Sequence, residues 1–263
     1  MQSHAAITEV ASNYEFRVAT VFRRTFSAYR SGFALFLLLG GACASMRWLI
    51  GPIYSAVMRP LLGWGLNGYW GFFLGSLVYS FFLGIAGKAA VAFAVFWTDD
   101  ILTGNRPRVA RGLRGGIFNI LVVLVGAIIT TFATCVGMVL LVIPGLVAAC
   151  LFVAIAPAAS FEKLGIVASI KRGASLAKRN LGRIFVLNVI PYAILYGYIQ
   201  LAYRLRQLYS PGLGNDSVSY LLYILPANIL YDSFIFALAC VIYFELRASR
   251  EGMREQNLVD VFE

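Results

Sequence analysis

Residues Gly115 to Phe161 contain no charged side chain in 47 consecutive positions. About 20 apolar residues in a helix cross the roughly 30 Å hydrocarbon core of a bilayer, so this run is long enough to cross twice. In hydrocarbon, every backbone N–H and C=O needs an internal partner, which a helix supplies within one segment. The run therefore predicts two transmembrane helices joined by a tight turn near Thr134 to Gly137. Its second half carries Pro144-Gly145 and Pro157 and stops at Glu162-Lys163. Pro144 predicts a kink in the second of these helices, with neighbouring helices satisfying the freed carbonyl. Pro157 predicts a bend from that span into a surface helix beginning near Ile166. Glu162 then sits at headgroup depth, favoured by the helix dipole or paired with Arg172. Pro144, Pro157 and Glu162 together make a predicted structural corner.

The rest of the chain has the same character. Of its residues, 60% are hydrophobic and 13% charged, against about 45–50% and 25% in soluble domains. Further spans are expected around Ser31–Met46, from Pro60 past Lys88 to Trp97, at Ile184–Tyr203 and at Ile224–Phe244. The expected fold is an all-α integral membrane protein with six transmembrane helices. Six spans put both termini on one side. That side then holds 17 of the 22 basic residues, so the positive-inside rule makes it cytoplasmic. Anionic lipid headgroups suit a basic face of this kind, and nucleic acid does not. The four cysteines, Cys43, Cys135, Cys150 and Cys240, form no Cys-x-x-Cys pair and lie in apolar surroundings. They read as small, buried and reduced. Residues 1–16 are polar and do not resemble a cleaved signal.

Three basic segments precede the odd-numbered spans. Arg24, Arg108 and Arg172 are each followed six positions later by Arg30, Arg114 and Lys178, and nine positions later by Phe33, Ile117 and Leu181. The first and third copies also show helical stripes, Val18/Phe22/Phe26/Tyr29 and Ile166/Ile170/Ala174/Ala177, flanked by Arg23 and by Lys171 and Arg179. Such helices lie in the interface, with apolar side chains in the acyl region and cations among headgroups. The predicted architecture is three hairpin units, each led by a basic amphipathic surface helix. They occupy residues 15–98, 106–161 and 166–248 within a single membrane domain, after a disordered tail at 1–14 and before a cytoplasmic tail at 249–263. The candidate headgroup-binding residues are Arg23, Arg24, Arg30, Arg108, Arg111, Arg114, Lys171, Arg172, Lys178 and Arg179.

Two ionisable residues fall inside apolar runs. A lysine at the centre of a spanning helix costs about 2.5–3.5 kcal/mol on insertion scales. Lys88 is therefore either a polar site within the membrane or a side chain that snorkels to the cytoplasmic edge. Asp232 lies about two turns inside the last span and would be protonated, paired with Arg204 or Arg206, or turned to a polar cavity. Asp99-Asp100 ends the second helix and is expected to meet Arg106 or Arg108. The only histidine is His4, so a His-based metal cluster or a Ser-His-Asp triad has no source. No phosphate-binding glycine loop or nucleophile elbow is present. No metal, cofactor or catalytic residue is expected.

Pro144-Gly145, Ala156-Pro157, Glu162, Gly165 and IKRGASLAKRN form one block, with FWTDDILTG at 96–104 and VIYFELR…REG at 241–252. Together they resemble the bacterial membrane-domain family of glycerophosphoryl diester phosphodiesterases, over about residues 15–262. Gly173 departs from the usual serine. That family has a form fused to a catalytic barrel and a stand-alone form. This chain resembles the stand-alone form, since its length leaves no room for the barrel. The resemblance implies a bacterial inner-membrane protein of a form with no established activity, and the basic face without a catalytic cluster points to a non-enzymatic one. Such a protein would interact with lipid, or scaffold a membrane partner or a second copy of itself, in envelope homeostasis. The alternatives are a transporter or lipid-moving protein with a polar site near Lys88 or Asp232, and a membrane enzyme acting on lipid phosphoesters.

Overall fold

The computed structural model describes residues 16–63, 69–209 and 224–262, and among these every regular element is a helix. The expected tail at 1–14 lies outside the described residues. The helices are α1 (Val18–Ser31), α2 (Phe33–Gly63), α3 (Tyr69–Leu102), α4 (Val109–Phe118) and α5 (Ile120–Leu140). They continue with α6 (Val142–Leu151), α7 (Ile155–Phe161), α8 (Ile166–Ala177), α9 (Leu181–Tyr209) and α10 (Leu225–Phe262). Among the described residues, five stretches are long and apolar enough to cross a membrane: Gly75–Leu102, Ile120–Leu140, Val142–Phe161, Leu181–Leu205 and Leu225–Glu251. A sixth exists if α1 and residues 33–46 of α2, bent by 92°, count as one.

The last span is the hub. In its most apolar window 67% of residues are buried, against 17% for the span in α9. Its side chains from Phe236 to Tyr243 share one buried core with Ala92, Ala94 and Val95 of α3 and with Ala156, Ala158 and Ala159 around Pro157 in α7. Small side chains on facing helices let the backbones approach closely, which drives association where lipid removes the hydrophobic difference.

The proline readings need correction. The turn between the third and fourth spans falls at Leu141, not at 134–137. Leu141 is extended, at φ −158° and ψ 137°, and α5 runs unbroken through Thr134 and Gly137 to Leu140. Thr130 and Thr134 bond back to Gly126 O and Thr130 O at 2.7 and 2.8 Å, so they continue the helix rather than end it. Pro144 does not kink a span. It occupies the first turn of α6, where a missing N–H costs nothing. Pro157 likewise sits in the first turn of α7, and the fourth span is interrupted just before it, at Phe152–Ala154. Without an N–H at Pro157, the Val153 carbonyl lacks its helical donor. The corner itself comes later, at residues 162–165, where Lys163 takes a left-handed φ of 52°. Pro191 lies inside α9, which continues through it.

Glycines decide how α4 sits. A Cβ on Gly112 would fall 2.1 Å from Trp97 Nε1, and one on Gly116 would fall 2.3 Å from Phe93 Cδ1. The bare face of α4 thus lies directly on the aromatic edge of α3. This contact brings Arg111 over the end of α3.

Candidate functional site

Three ion-pair knots gather where α3, α7 and the spanning part of α10 end. In the first, the Arg24 guanidinium on α1 donates to Glu245 on α10, whose carboxylate side chain is only 3% exposed. In the second, Arg111 on α4 donates to Asp100 and, at 2.7 Å, to Asp99. The Arg108 backbone N–H also donates to Asp100 Oδ2 at 3.1 Å. Asp99-Asp100 therefore meets Arg111 rather than the expected side chain of Arg106 or Arg108.

The third knot is the most connected. Glu162 closes α7 at the corner, and its Oε1 accepts the Tyr243 hydroxyl of α10 at 2.6 Å. Arg172 Nε, on α8, reaches both Glu162 oxygens at 3.1 and 3.2 Å, and its Nη2 donates to Glu251 at 2.7 Å. Arg247 Nε holds both Glu251 oxygens at 3.0 Å, and its guanidinium lies 5.8 Å from the Phe161 ring centre. Partial burial pulls the Arg172 guanidinium down, but its bonds to Glu162 and Glu251 outweigh that and raise it above its ordinary value. The cation and both carboxylates lock α7, α8 and α10 together.

The predicted headgroup residues thus divide. Arg24, Arg111 and Arg172 are held by carboxylates of the chain itself. Arg23, Arg30, Arg108, Arg114, Lys171, Lys178 and Arg179 are exposed. The split follows the helix faces. The buried positions are Val21, Thr25 and Ala28 on α1, Gly112 and Gly116 on α4, and Ser169, Gly173, Leu176 and Ala177 on α8. On α1 and α8 this face is mostly one residue out of register with the bulky stripes read from the sequence. Phe26, Ile117 and Val167 are left 62%, 61% and 64% exposed.

Lys88 lies midway along its span and does not reach either end by snorkelling. Its ammonium donates to Thr130 Oγ1 at 2.5 Å and Thr131 Oγ1 at 3.1 Å, at the middle of α5. Asp232 is buried at 6% exposure near the other end of the bundle, beside Ser233, and the two polar candidates stay on separate helices. The Lys88 geometry gives an expected result. Lys88→Met replaces an amine by an apolar side chain midway along a long apolar helix, while Thr130 keeps its bond to Gly126 O. Unfolding in mixed micelles should then show stability unchanged or raised by about 1 kcal/mol. A loss larger than that would make the two threonine contacts a structural requirement.

Among the described residues, no group of three or more His, Cys, Asp or Glu side chains is placed to hold a metal ion. The four cysteines form no disulfide among the described residues, and Cys43, Cys150 and Cys240 are buried. Sequence reasoning did not single out Thr130 or Thr131, and it noted Tyr243, Glu245, Arg247 and Glu251 only within the 241–252 block, with no partner for any of them. The spacing of Tyr243, Arg247 and Glu251 by four places them on one helix face, and that was the available signal. Comparison of the chain with protein-family models, curated proteins and solved structures gives no match.

Proposed function

We propose that this is a non-enzymatic, multi-pass membrane protein that gathers anionic lipid at its basic face. In this reading α1, α4 and α8 lie along the cytoplasmic surface of a bacterial inner membrane, both termini are cytoplasmic, and each surface helix leads into a pair of spans. Each short helix is joined to the next long apolar helix by one to three residues. Small side chains face the protein, while bulky apolar ones are left outward at the depth of the acyl chains.

One observation carries the proposal. On or beside each of α1, α4 and α8 one cation is locked internally while another, exposed, has no protein partner among the described residues. The pairs are Arg24 with Arg30, Arg111 with Arg114, and Arg172 with Lys178. The locked cation fixes the helix, and the free one is presented to solvent or headgroups. Basic residues near an anionic leaflet contribute about 1 kcal/mol each. The test is lipid selectivity of the purified protein in bilayers of phosphatidylglycerol and phosphatidylcholine. Enrichment of phosphatidylglycerol beside the protein, weakened by salt, is expected; equal occupancy by both lipids would refute the proposal. A second reading, movement of a polar or lipid cargo past Lys88, draws on the ammonium lodged at mid-span. It requires Lys88→Met to abolish that movement in proteoliposomes while leaving the fold intact.

A further inference from the structure

The elbow between α1 and α2 holds a groove of about 770 Å³ lined by Phe26, Ser27, Tyr29, Arg30, Ser31 and Phe33. The size falls within the roughly 300–1,000 Å³ of small-ligand sites. Its lining is divided in a particular way. Arg30, Ser27 and Ser31 supply a guanidinium and two hydroxyls, and Arg30 is exposed with no partner among the described residues. Phe26 and Phe33 are 62% and 43% exposed on the same elbow, so two large apolar rings border the cation. The bend is fixed from beneath. The Gly32 N–H caps α1 on Ala28 O at 2.9 Å, and Tyr29 packs edge-on against Phe33 and Phe234, with centroids 5.4 and 5.8 Å away. Phe26 also touches Phe234, at 5.1 Å. The groove is therefore held open by packing on α10 and does not depend on Arg30.

We propose that this elbow seats one anionic glycerophospholipid, with its phosphate on Arg30 and its acyl chains along Phe26 and Phe33. The proposal rests on the lipid reading above and narrows it from a basic face to one site. A planar guanidinium matches two phosphate oxygens at once, with adjacent hydroxyls as further donors. An apolar floor beside that cation favours a ligand with an anionic end and a hydrocarbon end. A free phosphate would leave Phe26 and Phe33 unused. A second copy docking through the same elbow would bring two Arg30 cations together.

Native mass spectrometry of the full chain in detergent, supplied with equimolar phosphatidylglycerol and phosphatidylethanolamine, separates the outcomes. One phosphatidylglycerol should persist on the wild type. Its occupancy should fall about tenfold in Arg30→Gln, the loss of one charge-assisted contact. Arg30→Lys should restore part of it, since the charge remains and the fork does not. Arg114→Gln, on a different surface helix, should leave that lipid in place. Equal losses in Arg30→Gln and Arg114→Gln would overturn the elbow site and leave the basic-face reading standing. Equal retention of both lipids by the wild type would remove the reading beneath it as well. Thermal unfolding of Arg30→Gln should match the wild type, since no internal bond is lost.

Discussion

Glu162→Ala is expected to loosen the basic end of the bundle by about 2–3 kcal/mol, the largest single effect among the polar positions. Glu162 serves two partners from different helices, the Tyr243 hydroxyl at 2.6 Å and Arg172 at 3.1 Å. Tyr243 is fully buried at 0% exposure, so its hydroxyl would be left without its acceptor. Arg172 would keep only Glu251, itself shared with Arg247. The side chains of Glu162 and Arg172 are 17% and 28% exposed. That places the cost below the 3–5 kcal/mol seen when a fully buried pair is broken. Glu162→Gln should cost about half as much, because its amide oxygen still accepts from Tyr243. Tyr243→Phe should cost about 1 kcal/mol alone and almost nothing on top of Glu162→Ala, since both remove the same bond. Unfolding in mixed micelles checks all four variants. Additive losses would mean that the Tyr243–Glu162 contact does not join the two helices.

Gly40→Leu is expected to cost about 3 kcal/mol or more, while Gly41→Leu next to it should be neutral or slightly stabilising. A Cβ on Gly40 would lie 2.1 Å from Ser233 Oγ and 2.5 Å from the Ile229 carbonyl oxygen. The hydroxyl could turn, at the expense of its bond to Ile229 O. The carbonyl is backbone inside α10 and cannot turn, so α2 must move away from the hub. Overpacking a close-packed contact costs about 1–3 kcal/mol and more when backbone must shift. Nothing lies within 4 Å of a Cβ on Gly41. There leucine only gains helix propensity, about 0.8 kcal/mol over glycine. The same unfolding assay compares the two, and equal effects would mean that α2 and α10 do not pack at Gly40.

The contrast between neighbouring glycines shows what the sequence could and could not disclose. Apolar runs identify helices long and apolar enough to cross a membrane, because that property depends on the composition of a whole segment. The runs read this way overlap all five of the long apolar stretches. Helix ends depend on single backbone bonds, and there the reading failed. Thr134 and Gly137 looked like a turn, yet Thr134 bonds within its own helix, and Leu141 has no side chain that marks a break. Pro144 and Pro157 were visible as breakers, but a proline in a first turn and a proline at a kink look the same along a chain. The Glu162–Arg172 pairing was legible because ten residues around one corner bring the two together. Tyr243 stood in the 241–252 block without a visible partner, since its hydroxyl finds Glu162 only after 81 residues of chain have folded back. Arg111 displaced Arg106 and Arg108 for a similar reason: the glycine face of α4 sets its rotation over Asp99 and Asp100, and no spacing rule contains that contact.

The proposal of anionic lipid at the basic face stands or falls on the cations that the protein leaves unpaired. The decisive measurement is the fraction of spin-labelled phosphatidylglycerol held beside the protein in phosphatidylcholine bilayers. It should be made for the wild type and for a triple variant, Arg30→Gln, Arg114→Gln and Lys178→Gln. These three residues are exposed and make no ion pair with a described residue, so the variant should fold as the wild type does. Wild-type protein should enrich phosphatidylglycerol several-fold at low salt, at about 1 kcal/mol per surface cation, and the triple variant should lose most of that enrichment. Undiminished enrichment in the folded triple variant would contradict the proposal.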